Sequence, residues 1–103
     1  MAKFLITYQG GGEMPGDPQA RQMMMDAFGA WVASVGDKMV DPGAPLGPAK
    51  VVSGSGVDDA KPDGIGGYTL LSADSLDDAV DLVRNHPFIS RGGALRVSEA
   101  VAP

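Results

Sequence analysis

Residues 66–87, GGYTLLSADSLDDAVDLVRNHP, change their hydrophobic period part-way along: a run alternating every two residues passes through a polar break into one that recurs every 3.6. The stretch reads as strand, turn, helix. Tyr68-Thr69-Leu70-Leu71 is the strand, with Gly66-Gly67 before it and Ser72-Ala73-Asp74 after it. Ser75 is the natural N-cap, its hydroxyl placed to accept from the Asp78 N–H, and Asp77, Asp78 and Asp81 set negative charge at the positive end of the helix dipole. Leu76, Ala79, Val80 and Val83 then make one apolar stripe, and Arg84 and His86 fall at the C-terminal end, where Pro87 stops the helix.

Outward from this unit the chain supplies three more strands and one more helix. Residues 3–8, KFLITY, alternate so that Phe4, Ile6 and Tyr8 face one way and Leu5 and Thr7 the other, with both faces expected to be buried. Asp17-Pro18 opens a helix by pairing an N-cap with a proline at the first position; Ala20, Met24, Ala27, Phe28, Trp31 and Val35 trace its apolar face, and Gly36 closes it. KMV and AKVV, separated by DPGAPLGP, predict an interrupted second strand, because so many prolines do not fit a central one. Residues 53–67 are mostly turn formers and predict a long connection. Residues 94–101 make the last strand, with Leu95, Val97 and Val101 on one side.

The order β, α, β, β, α, β is that of a ferredoxin-like α+β domain, a four-stranded antiparallel sheet with two helices on one face. Two helices cover one side only, while the first and third strands carry apolar residues on both. A second copy of the chain is therefore expected over the open face, with a cavity at the seam between the two sheets.

Composition narrows the chemistry. At 103 residues, 44% of them hydrophobic and 20% charged, the chain predicts one domain with a real core. With no cysteine, thiolate metal sites and thiol nucleophiles are excluded, and one histidine excludes a multi-histidine centre within a subunit. The net charge is −5 and the eight Lys and Arg are scattered singly, which argues against nucleic acid and anionic lipid as partners. The N-terminal apolar run is too short for a signal segment or a membrane span, so a cytoplasmic location is expected. The loop GGGEMPGD lacks the lysine and spacing of a phosphate cradle and reads as a flexible connection.

His86 is the one side chain with an unperturbed pKa near neutrality, and a helix C-terminus favours its protonated form, which makes it the acid–base candidate; capping helix-end carbonyls is the structural role open to it. Asp63, before Gly64, suits a turn and is also able to orient the imidazole. Tyr8 and Tyr68 would place phenols toward a cavity, as donors to a bound carbonyl, or pack in the core. Trp31 and Met23-Met24-Met25 fit core packing. Arg84 and Arg91 flank the helix end and either meet an acidic ligand or stay in solvent.

The segment KPDGIGGYTLLSADSLDDAVDLVRNHP, followed by RGGALRVSEAV, resembles the YCII-related, or DGPF, family, with Asp63-Gly64-Ile65-Gly66 standing where the family carries its DGPF signature. The resemblance implies one YCII-related domain over residues 1–103 and a dimeric α+β barrel. It also implies that some relatives are small enzymes using a paired histidine and aspartate, one of them a dehydrochlorinase of chlorinated hydroxyquinols. Those two positions correspond to Met25 and His86 here, so the pair itself is not reproduced. The expected function is thus the binding of a small organic molecule in the dimer cavity by Tyr8, Tyr68 and Met25, near His86 and Asp63. Its enzymatic form is acid–base chemistry with no cofactor. A non-catalytic dimeric binding module is the alternative, and cofactor-independent oxygen chemistry follows from fold analogy alone.

Overall fold

In a computed structural model, which describes residues 1–10, 16–60 and 64–102, the elements run β1 (Ala2–Gly10), α1 (Pro18–Val35), a 3-10 turn (Gly36–Lys38), β2 (Met39–Pro45), β3 (Lys50–Ser53), β4 (Gly56–Asp59), β5 (Ile65–Ala73), α2 (Leu76–Val83), α3 (Pro87–Ser90) and β6 (Gly93–Ala100). Strands β2, β5, β1 and β6 form one sheet in that order, each neighbouring pair antiparallel. This is the expected ferredoxin-like α+β arrangement.

The helices start where the caps require. Asp17 accepts from the Gln19 and Ala20 N–H groups ahead of Pro18, and Ser75 Oγ accepts from the Asp78 N–H at 3.1 Å. Alternation then decides the core. Phe4 and Ile6 of β1 and Thr69, Leu71 and Ala73 of β5 are wholly buried on one face of the sheet, under Trp31 and Val35 of α1 and Ala79 and Val83 of α2. Each large side chain among them contributes roughly 1.5–3 kcal/mol by leaving water.

The other face is open in the single chain. Leu5 pairs with Leu70 and Thr7 with Tyr68 across the central strands, and Leu5 keeps 38% of its surface exposed, so the expectation that both faces of β1 are buried does not hold within one copy.

Two corrections concern residues 39–59. The second strand is continuous in the sheet from Met39 to Pro45, with register irregularities around residues 41–44, and its prolines are accommodated because it is the edge strand. AKVV is not its second half. Lys50–Ser53 pairs with Gly56–Asp59 in a separate hairpin, so the expected long connection over residues 53–67 contains the hairpin's second strand, β4. The missed signal was the Gly54-Ser55 pair between two valine-bearing runs. The hairpin is exposed throughout, and Val52 stands opposite Val57 without cover from the core.

Candidate functional site

The site begins where α2 stops. The helix ends at Val83, the His86 N–H donates to the Val83 carbonyl at 3.0 Å, and His86 adopts φ −63°, ψ 133°, the extended geometry a residue before proline prefers. Pro87 therefore opens a new helical turn, α3, instead of merely ending α2. His86 is its N-cap: Nδ1 accepts the Phe88 N–H at 3.0 Å. The sequence alone predicts His86 at a helix C-terminus, favoured as a cation and free to cap carbonyls. The structure reverses both points, since an imidazole that accepts an N–H uses an unprotonated nitrogen.

Burial acts in the same direction. His86 is 4% exposed, and its ring lies 4.3 Å from the Trp31 ring, 5.0 Å from Tyr8 edge-on and 5.6 Å from Phe28, centroid to centroid. Desolvation by these rings lowers its pKa from 6.5 to about 4, so the group is neutral at physiological pH. With Nδ1 accepting, the remaining proton sits on Nε2, which lies 2.8 Å from Tyr8 Oη. Tyr8 Oη also lies 2.7 Å from Thr69 Oγ1, and Thr69 Oγ1 donates to the Pro42 carbonyl at 2.9 Å. Burial raises the Tyr8 pKa, the bond to Thr69 pulling the other way, and the phenol stays protonated.

Beside this group lies a cavity of about 490 Å³, walled by Tyr8, Met24, Met25, Phe28, His86 and Phe88, with residues 42–45 of β2 and 66–68 of β5 on the far side. Arg91 borders it and packs its guanidinium over the Phe88 ring, 5.4 Å from the centroid. The volume falls in the range of small-molecule pockets. This cavity is lined by residues of one chain, between α1, α3 and the sheet.

The structure brings four of the expected site residues, Tyr8, Met25, Tyr68 and His86, to the wall of this cavity. Met24 and Met25 are not core filler; Met25 is 66% exposed and belongs to neither core cluster, because the N-terminal half of α1 overhangs the cavity. Tyr68 contributes to the wall, but it alternates with buried Gly67 and Thr69, so the pleat directs its phenol to the opposite face from Tyr8. Asp63 lies outside the described residues. Trp31 is a core residue as expected, with Nε1 donating to the Leu82 carbonyl at 2.9 Å. Arg84 turns back to Asp81 on the helix surface.

Thr69 and Phe88 belong to the site and were not singled out in the sequence. Thr69 was findable: it sits opposite Ile6 on the core face, and a buried hydroxyl there must have partners. Phe88 had a fainter mark in Gly93, where a side chain would collide with the Phe88 ring.

No family model matches the chain, and no curated protein matches it by sequence. Among solved structures it is similar to 5-chloro-2-hydroxyhydroquinone dehydrochlorinase from Burkholderia phenoliruptrix AC1100, in complex with 2,5-dihydroxybenzoquinone. The two share 24% sequence identity over 98% of this chain and 95% of that one, with a TM-score of 0.58. The likeness establishes the fold. No helix among the described residues is long and apolar enough to cross a membrane.

Proposed function

We propose that this chain is a YCII-related protein that binds a small, flat, mostly apolar ring molecule in the cavity beside His86. The observation that carries the reading is the wall itself: Phe28, Phe88, Tyr8 and His86 present rings, Met24 and Met25 present adaptable thioethers, and the polar side chains are the Tyr8–His86 pair and Arg91. The bound quinone of the structurally similar dehydrochlorinase is a ligand of that shape, which supports the class without supplying the identity.

Binding fits the geometry better than proton transfer. Both nitrogens of His86 are engaged, the ring is neutral, and acting as an acid would require a proton on the nitrogen that caps α3. The enzymatic form keeps one supporting observation: Met25 and His86, which stand at the positions of the paired residues of the enzymatic relatives, border the same cavity. In that form His86 would trade its bond to Tyr8 for one to the ligand. We place a second copy of the chain over Leu5, Tyr68 and Leu70, where it would cover the open sheet face without forming the cavity.

The test is isothermal titration of single-ring aromatic ligands into wild type and Met25→Trp. Position 25 is exposed enough to accept the larger ring, which would project into the cavity. Wild type binds and the variant, equally folded by circular dichroism, does not. Equal heats in the two proteins, or no binding by either, would overturn the proposal.

A further inference from the structure

The hydrogen bonds around Tyr8 run in one direction only, and both ends are fixed by backbone groups whose roles cannot change. At one end the Phe88 N–H donates to His86 Nδ1, which leaves the proton of the neutral ring on Nε2, facing Tyr8 Oη. At the other end the Pro42 carbonyl can only accept, so it takes the single proton of Thr69. Thr69, with its proton spent, must accept from Tyr8. The order is therefore Phe88 N–H to His86, His86 Nε2–H to Tyr8, Tyr8 O–H to Thr69, and Thr69 O–H to Pro42. Thr69 is fully buried and His86 nearly so, which shields this order from competition by water.

The consequence falls on Tyr8, the hydroxyl-bearing member of the chain whose side chain lines the cavity. Its proton is committed to Thr69 and one lone pair to His86, so what it can offer a ligand is a second lone pair. Resting on the binding function proposed above, we infer that the cavity selects by hydrogen-bond polarity: it takes ring molecules that donate a hydroxyl to Tyr8 Oη, phenols and hydroquinols, and discriminates against rings that offer only acceptors, such as aryl ethers and quinone carbonyls. Tyr8 is the specificity-determining residue, and Thr69 and His86 are positioning residues that set the direction of its proton. This is the reverse of what an isolated tyrosine in an apolar pocket suggests, where the phenol would donate to a bound carbonyl.

The experiment compares para-methylphenol with its methyl ether and with para-fluorotoluene, which matches the phenol in size but cannot donate. In wild type the phenol binds about tenfold more tightly than either, the scale of one neutral hydrogen bond. Tyr8→Phe brings the three within about twofold of one another. Thr69→Val, close in shape, frees the Tyr8 proton for the cavity, so the ether gains on the phenol, while Thr69→Ser keeps the wild-type order. The wild-type comparison needs no variant to fold. Equal affinities of wild type for the phenol and the fluoroarene would overturn this inference while leaving the binding proposal intact. Failure of all three to bind would remove both.

Discussion

His86 makes the stability of this fold depend on pH in a way that can be worked out in advance. Its pKa is 6.5 in an ordinary setting and about 4 in the folded chain, because the rings of Trp31, Phe28 and Tyr8 replace water around it. Between those values the unfolded chain binds a proton and the folded chain does not, so lowering the pH favours unfolding. Above 6.5 both states are neutral and the histidine contributes no pH dependence; the loss begins as pH falls through 6.5 and is complete once it has fallen through about 4. At about 1.4 kcal/mol per pH unit, the interval is worth about 3.5 kcal/mol, of which about 3 kcal/mol is lost by pH 4, where the folded histidine is half protonated. The measurement is a difference, which isolates the histidine: urea unfolding of wild type and His86→Asn, from about pH 7.5 to about pH 4. Asparagine can still cap α3 but cannot titrate. Wild type should lose about 3 kcal/mol more than the variant over that span. Because His86 is the one histidine in the chain, its imidazole resonances are unambiguous, and an NMR titration gives the same answer independently. Parallel stability curves, a histidine pKa at or above 6.5, or a proton found on Nδ1 instead of Nε2 would refute the reasoning.

Three other substitutions probe the surroundings. At Gly43, where φ is 78° and an added Cβ would be driven into the Tyr68 carbonyl oxygen, Gly43→Ala should cost more than about 3 kcal/mol in urea unfolding or prevent folding altogether. Gly93→Ala pushes the Phe88 ring toward the cavity it borders; a loss of about 1–3 kcal/mol in thermal unfolding, together with weaker binding of aromatic ligands, is the expected pair of effects. Leu5→Lys places a charge in the middle of the open sheet face; under the proposed pairing of two copies over that face it should shift sedimentation from dimer toward monomer while leaving the helix-covered core, and so the circular dichroism, unchanged.

The regular part of the fold could be read from the chain because its period and caps agree at every level. Phe4 and Ile6 alternate with Leu5, Ser75 and Asp17 cap as their side chains demand, and the order of elements leaves little choice of topology. The hairpin was harder, since KVVS and GVDD are too short and too polar to announce themselves against so many turn residues. His86 was misread for a definite reason. In sequence, a basic residue before proline at the end of an apolar stripe has the marks of a helix C-terminus, and only the backbone shows that α2 stops three residues earlier and that proline starts a new turn. The lowered pKa itself comes from burial. That burial depends on α1 and β1, which lie far away in the chain.

The cavity lies where regular structure gives out, and the polar chain beside it exists for the same reason. Beyond the fully paired stretch of the sheet, β2 slips register between Asp41 and Ala44, β5 pairs with β1 irregularly after Tyr8, and α2 yields to α3 at His86. Each break takes a backbone group from its usual partner, and a buried or half-buried polar group must find another. Thr69 takes the Pro42 carbonyl, Asp41 takes the Gly43 N–H at 2.9 Å, and His86 takes the Phe88 N–H. Once Thr69 and His86 have been used in this way, Tyr8 between them has its proton's direction decided by two repairs made on different elements. The hydrogen-bond character of the cavity wall thus follows from where the strands and helices end, and substitutions that heal a break should alter ligand preference even when they touch no ligand.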